Sequence, residues 1–298
     1  MRYVATIGSF DGVHRGHRCL LNQVRRIANE QGLAAMAITF KTSPKRVLNM
    51  GRLPQLNTAE QRISLLHQAS MDEVVVLDFT PAMSTMSARD FMQQVLKNQL
   101  HVNILVIGYD HRFGHGRNEG FDDYIRYGQE MGIKIVRGEM CMEEGEPISS
   151  SRIRHLITKG EVDKAGRLLG YPYMLSGEVV DGYKEGRKMG FPTANIQVSN
   201  ADELIPADGV YAVWVHVDKD IHKGMLNVGF RPTLSNGWER SIEVHILDFE
   251  GTLYGKHISV EFVHWLREER TFKNIEELTN QLRKDKERVQ DWLESNKL

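Results

Sequence analysis

Cysteine is almost missing from this chain: Cys19 and Cys141 are the two examples in 298 residues. Two thiols so far apart in sequence make no CxxC metal pair. Their scarcity argues against a secreted disulfide scaffold, so a reducing cytoplasm is the expected home. Charge of one sign is not in excess either, because 38 Lys and Arg stand against 39 Asp and Glu for a formal charge of -1. That balance excludes the basic footprint of a nucleic-acid binder. No apolar run approaches the roughly 18 residues of a membrane span, and the opening MRYVATIGSF turns polar before a signal core can form. The chain reads as untargeted and soluble, with no nucleic acid and no membrane among its partners. A P-loop, GxxxxGK[ST], is also absent. Oligomeric state is left open.

What is present divides in two, as a length above the single-core limit of about 250 residues leads one to expect. Through residue 150, short apolar runs (YVATIGSF, LAAMAITF, EVVVLDF, NILVIGYD, IKIVRGEM) alternate with helical spacing, as in Leu20, Leu21, Val24, Ile27 and Ala28. This is a parallel βαβ rhythm, with VVVL and ILVI read as strands covered on both faces. Ligands of such sheets sit beyond the carboxyl ends of the strands, where GSFDGVH and GYDHRFG fall. A helical stretch, SRIRHLITKGEVDKAGRLLG, closes on Gly170 before the helix-stopping YPY, which places the domain boundary at 170/171. Beyond it come short strands separated by glycine turns: SGEVVDGY, GVYAVWVHVD, HKGMLNVGF, SIEVHILDF and HISVEFVHWL. An antiparallel barrel fits these better than a second parallel sheet. Ile275, Leu278, Leu282, Val289, Trp292 and Leu293 then mark an amphipathic helix that caps the barrel.

The first chemical constellation is GSFDGVHRGH, residues 8 to 17. A glycine turn from a buried strand into a helix presents free N-H groups and a positive dipole end, which together favour a phosphate. His14 and His17, three apart, can both face that anion and stabilise charge moving onto a leaving pyrophosphate. Alone, the pair is explained as well by a solvated turn. A zinc site is excluded by the lack of further ligands at a recognisable spacing. Gly114, Gly116 and Gly120 are spaced GxGxxxG with no helix directly after them, and read as a polar loop.

With more residues added, GSFDGVHRGH resembles the HxGH signature of the nucleotidyltransferase superfamily in the form used by bacterial FAD synthetases. ISSSRIR, residues 148 to 154, resembles that superfamily's ISSTxxR motif. The resemblance implies that Gly8, Phe10, Asp11 and Gly16 border the nucleotide, that Ser150 and Ser151 cap a helix, and that Arg154 meets ATP phosphates. VIGYDHRFGHGR resembles the family's loop after the fourth strand, which implies Asp110 and Phe113 beside nucleotide and flavin. Ser9 joins the flavin candidates. ITFKTSP stands where the family's flavin pocket is lined, implying Phe40 and Pro44, although Phe40 also suits a strand-end core position. Ser43 replaces the family's usual His, and NEGF at 118 to 121 departs from its Gly-Asp pair; neither is given a role.

The second constellation is GEVVDGYKEGRKMGFPTANI, residues 177 to 196, close to the riboflavin kinase signature. Gly186 and Gly190 let backbone approach phosphates, while Thr193 and Asn195 offer neutral oxygens to a hard cation, expected to be Mg2+. A glycine-rich hairpin with a proline turn accounts for the glycines but not for Thr-x-Asn. In SIEVHILDF, alternation puts Glu243 and His245 on one strand face. By resemblance Glu243 is the catalytic glutamate, accepting the proton of the riboflavin 5'-hydroxyl. LREERTF resembles a flavin-side loop, which implies contacts from Arg267, Arg270 and Phe272.

Taken together, the resemblance to the bacterial bifunctional riboflavin kinase/FMN adenylyltransferase family spans almost the whole chain. It implies residues 1–170 as an adenylyltransferase domain and 171–298 as a kinase barrel. It also implies riboflavin, FMN and ATP as small-molecule substrates, with Mg2+ as cofactor. Two rivals stand beside it: a nucleotidyltransferase for another phosphorylated metabolite with an accessory barrel, and a non-enzymatic flavin-responsive module.

Overall fold

The computed structural model describes residues 2–48, 53–182, 185–232 and 238–296. Its contacts divide the chain into two compact units, Met1–Ser150 and Ser151–Leu298.

In the first unit five parallel strands, β1 (Tyr3–Ile7), β2 (Ala34–Phe40), β3 (Glu73–Leu77), β4 (Val102–Ile107) and β5 (Lys134–Arg137), form one sheet in the order β3-β2-β1-β4-β5. Helix α1 (Arg15–Gln31) carries the chain from β1 to β2 and buries Leu20, Leu21, Val24 and Ala28 against one sheet face. Each buried Leu or Val there contributes roughly 1.5–3 kcal/mol. Gly32 ends α1 at φ 63°, its N-H bonded to the carbonyls of Ala28 and Asn29. Small helices α2 (Pro44–Val47), α3 (Ala59–Gln68) and α4 (Pro81–Ser84) line the following connections. The opposite sheet face is covered by α5 (Ala88–Phe91), the π-helical Met92–Gln99 and α6 (Phe121–Met131), through Phe91, Met92, Val95, Leu96 and Tyr124.

The expected VVVL burial fails at β3, where Val76 is 36% exposed because the strand lies at the sheet edge. A small hairpin of β6 (Met142–Glu143) and β7 (Glu146–Pro147) precedes α7 (Ser150–Thr158). Cys141, just before β6, is joined to Cys19 of α1 in a disulfide with a Cα–Cα distance of 6.4 Å. Their 122-residue separation hid this partnership in the sequence.

The second unit contains most of α7, then α8 (Val162–Leu169) and six strands: β8 (Tyr173–Val180), β9 (Ala194–Val198), β10 (Gly209–Val217), β11 (Asp220–Pro232), β12 (Trp238–Ile246) and β13 (His257–Arg267). They close into a barrel in the order β10-β11-β12-β9-β8-β13, with β13 pairing back to β10. The parallel α/β sheet and the closed antiparallel barrel are those expected. The contact division falls twenty residues ahead of 170/171 because α8 buries Val162, Ala165, Leu168 and Leu169 and packs on β8 and β13. His264 of β13 meets Asp163 of α8 at 2.8 Å across that seam.

A single turn, α9 (Glu185–Lys188), precedes β9, and the terminal α10 (Ile275–Ser295) lies on β10, β11 and β13. Val289 and Leu293 of α10 are fully buried with Phe191, Val210, Ala212 and Leu247. Ile275, counted in the apolar stripe, is 70% exposed in the helix's first turn.

Candidate active sites

The sheet order reverses direction between β1 and β4, so the loops after these two strands flank the crevice where an α/β sheet takes its ligand. The loop after β1 is tightly held: Phe10 (φ 48°) and Val13 (φ 32°) are non-glycine residues in left-handed conformations, and Gly12 stands at φ 84°. Such residues cost on the order of 1–3 kcal/mol each and persist where surroundings over-determine them. Here Phe10, 2% exposed, supplies the anchoring burial and lays its ring over Gly8, where a Cβ would come within 3.3 Å of it. Ser9 is exposed, and its carbonyl accepts from the Thr39 hydroxyl at 3.4 Å.

The strained turn delivers His14 as the N-cap of α1. Its Nδ1 accepts the backbone N-H of His17 at 3.3 Å. The two imidazoles stack, centroids 3.6 Å apart, and Phe10 meets His17 edge-on at 5.3 Å. Gly16 is required by crowding: a Cβ would stand 3.0 Å from the Ile148 carbonyl and 3.1 Å from His14 Nδ1. Burial, then the neighbouring His14 and His111, holds the His17 imidazole well below its ordinary pKa, so it is neutral at pH 7. A neutral imidazole at a helix N-terminus keeps one N-H to donate to a phosphate oxygen.

Asp11 takes a structural part, its carboxylate accepting the Leu56 N-H at 2.9 Å. Buried Arg62 of α3, which the sequence did not single out, donates to the Phe40 carbonyl at 2.6 Å. Ser150 begins α7 and donates its hydroxyl to the Asp11 carbonyl at 2.9 Å. The motif's loop and serine thus meet, though they lie 139 residues apart. Ser151 and Arg154 follow in α7 within the second unit. Phe40 sits in the core against Phe79 at 5.6 Å, and Pro44 opens α2. Asp110 is exposed, whereas Phe113 stacks on buried Tyr124 at 4.4 Å.

In the barrel, β9 pairs with β12 so that Asn195 faces Glu243, and β11 brings Asn227 opposite Glu243 from the other side. Thr193 donates its hydroxyl to Glu243 Oε2 at 3.4 Å. Residues fifty positions apart therefore share one small polar site. Asn195 is 8% exposed, and its amide can lie where it does because residue 182 is glycine: a Cβ there would collide with that amide. A side-chain amide, a hydroxyl and a nearby carboxylate make a donor set of the oxygen type that a hard divalent cation takes.

His245, noted in the sequence only for its strand face, donates Nδ1-H to the Pro192 carbonyl at 2.8 Å and so fixes the turn before Thr193. Burial lowers its pKa, against the opposing pull of that bond. A Cβ at Gly186 would strike the Phe191 carbonyl, and Gly190 stands at φ 80°. Among the flavin candidates, Arg270 is exposed, while Arg267 is 9% exposed and forks onto the fully buried Asp285 of α10 at 2.7 and 2.9 Å. That geometry makes Arg267 first of all the bond between β13 and α10. Phe272 lies 6.0 Å beneath its guanidinium.

The two sites and their folds define a class: a two-domain transferase with a nucleotidyltransferase-like α/β unit and a kinase-like barrel. A model of the FAD synthetase family matches residues 1–152, and one of the riboflavin kinase family matches residues 169–293. The chain is 37% identical to the bifunctional riboflavin kinase/FMN adenylyltransferase of Listeria monocytogenes, covering 95% of this chain and 90% of that one. The proteins of the same description in Bacillus subtilis and Escherichia coli K12 are each 35% identical, again over 95% of this chain and 90% of theirs. A solved Streptococcus pneumoniae chain described as a macrolide-efflux protein superposes with a TM-score of 0.89 at 31% identity, over 98% of this chain and 95% of that one. No helix among the described residues here is long and apolar enough to cross a membrane. The chain belongs to the bifunctional riboflavin kinase/FMN adenylyltransferase family, and both enzymatic domains of FAD biosynthesis are present in it.

Proposed function

We propose that the barrel phosphorylates riboflavin to FMN and that the α/β unit adenylylates FMN to FAD with release of pyrophosphate, each step using ATP. The observation that carries this division is the meeting of Thr193, Asn195 and Glu243 on neighbouring barrel elements, apart from the histidine pair at the α/β switch point. In the kinase step Glu243 accepts the proton of the riboflavin 5'-hydroxyl as that oxygen attacks the γ-phosphorus. Thr193 and Asn195 hold Mg2+, which when bound neutralises charge on the ATP phosphates. Gly186 and Gly190 allow backbone to come close to those phosphates. Arg270 and Phe272 border the flavin.

In the adenylylation step an FMN phosphate oxygen attacks the α-phosphorus of ATP. His14, His17 and the N-H groups of α1 stabilise the charge that moves onto pyrophosphate, so positioning and electrostatics supply most of the rate. The enzyme is read as cytoplasmic, where ATP would reach it.

Purified protein given riboflavin, ATP and Mg2+ should yield FMN and then FAD by chromatography. Glu243→Gln should lower FMN formation at least about 100-fold, the scale of general-base loss, while added FMN is still converted to FAD. Equal loss of both activities would overturn the division of labour.

A further inference from the structure

His111 was given no role in the loop motif or in the steps above, yet it follows β4 in one of the two loops that flank the switch point, close enough to His17 to act on it electrostatically. Its backbone N-H bonds the Gly108 carbonyl at 3.0 Å, so it is held in the first turn beyond the strand. The residue is half-buried, but its Nε2 is fully enclosed and has no hydrogen-bond partner. The same is true of His17 Nδ1. Two enclosed, unpartnered imidazole nitrogens at one crevice are unusual, since such atoms cost on the order of 1–3 kcal/mol each when left unpaired.

The histidine pair is unequally provided for. In His14 the N-cap bond makes Nδ1 an acceptor, so its single neutral-state proton rests on Nε2. Burial holds His17 neutral, but nothing bonded to its ring fixes which nitrogen carries the proton. A donor at His17 Nδ1 would place the proton on Nε2, matching His14 and giving the anion two parallel N-H groups. His111 is the nearby group able to do this. It acts electrostatically on His17, and it is itself neutral, pushed down to about 4 by burial first and Arg117 next, against Asp110. The charged groups that act on it are Arg117 and Asp110 from its own loop, and it acts in turn on His17 of α1, beside which His14 also stands.

We propose that His111 is a positioning residue of the adenylylation site: with nucleotide bound, its Nε2-H donates to His17 Nδ1 and fixes the His17 tautomer that points Nε2-H at the phosphates. Catalytic hydrogen bonds that are open in an empty site commonly close in the substrate complex. The proposal rests on the adenylylation reading of this crevice.

The test compares His111→Phe, which keeps a ring against Phe113 but cannot donate, with His111→Gln, whose amide can. The Phe variant should lose about 10–100-fold in kcat for FAD formation, the scale known for removing the partner that orients a metal-ligating histidine, with KM for ATP and FMN within about twofold. The Gln variant should recover most of that loss. Riboflavin phosphorylation by the same molecules should be unchanged, which controls for folding. Nitrogen-15 shifts of His17, measured with a non-hydrolysable ATP analogue, should report an Nε2-protonated tautomer in wild type and a mixture in the Phe variant. Full kcat in the Phe variant, a Gln variant no better than Phe, or an unchanged His17 tautomer would each overturn the proposal. A wild type that makes no FAD would instead defeat the adenylylation reading, and the nitrogen-15 spectra would still decide the hydrogen bond.

Discussion

At the scale of single residues, the barrel site depends as much on a missing side chain as on those present. Gly182 needs no unusual backbone angle, yet any Cβ there collides with the amide of Asn195. Gly182→Ala should therefore displace Asn195 and raise the Mg2+ and ATP requirements of riboflavin phosphorylation by about tenfold or more, equivalent to roughly 1.4 kcal/mol of lost positioning. FMN adenylylation is the internal control, and a metal titration of both activities reads the outcome. Gly255→Ala offers a contrast: the space is open and the objection is φ 74° alone, so its effect should fall on stability, by about 1 kcal/mol, with kinase constants little changed. Parallel losses in both variants would refute the distinction.

At the scale of elements, the strands and helices that could be read locally were those whose burial is decided locally. Helix α1 declares itself by its apolar spacing, and β13 by alternation. β3 looked like a central strand because VVVL records composition and not position in the sheet order. β9 hides inside a motif, since PTAN describes chemistry and conceals the ladder it joins. Candidate site residues are legible where they belong to contiguous signatures, as His14, His17, Thr193 and Asn195 do. Arg62, His111, His245 and Asp285 gain their roles from partners brought together by folding, and local pattern carries no trace of that.

The Cys19–Cys141 bond is of the same kind, and it has a consequence for α1. In the chain-entropy account a closed loop of this length stabilises by about 4–5 kcal/mol, and the bond ties α1 to the segment that leads to β6 and Ser150. Arg15 and Glu143 make a second tie across these segments at 3.0 Å, but it is solvent-exposed and worth roughly 0–1 kcal/mol. Cys19→Ser, or dithiothreitol on the wild type, should lower the unfolding temperature of the first unit by several degrees and leave the barrel's unchanged. Thiol titration under denaturing conditions, two free thiols with reductant and none without, checks that the bond is present. An identical melting temperature with the bond shown intact and then reduced would remove it from the stability of the fold.

At the scale of the whole molecule, the two units can be followed separately because of where tryptophan falls. Trp214, Trp238, Trp265 and Trp292 all lie beyond Ser150, so tryptophan fluorescence reports the barrel unit alone, while helical circular dichroism also reports the first. Acid separates the units further. The first holds two imidazoles with lowered pKa values, His17 and His111, and the second one such imidazole, His245. In each, the unfolded chain binds its proton near the ordinary value of 6.5 while the folded chain resists it. The stabilisation is thus complete above about 6.5 and is lost as pH falls, down to about 4 for His111. Carboxylates held low by their partners, such as Asp72, add their own loss only below their ordinary value of 3.8. Between pH 7 and 5 the first unit should lose more stability than the barrel, with its circular-dichroism transition falling on the order of 5 °C ahead of the fluorescence transition. His111→Phe should reduce that gap, because one of the resisting imidazoles is gone. Superimposable transitions at both pH values, or a fluorescence transition that falls first, would show that the buried imidazoles of the first unit do not govern its acid sensitivity.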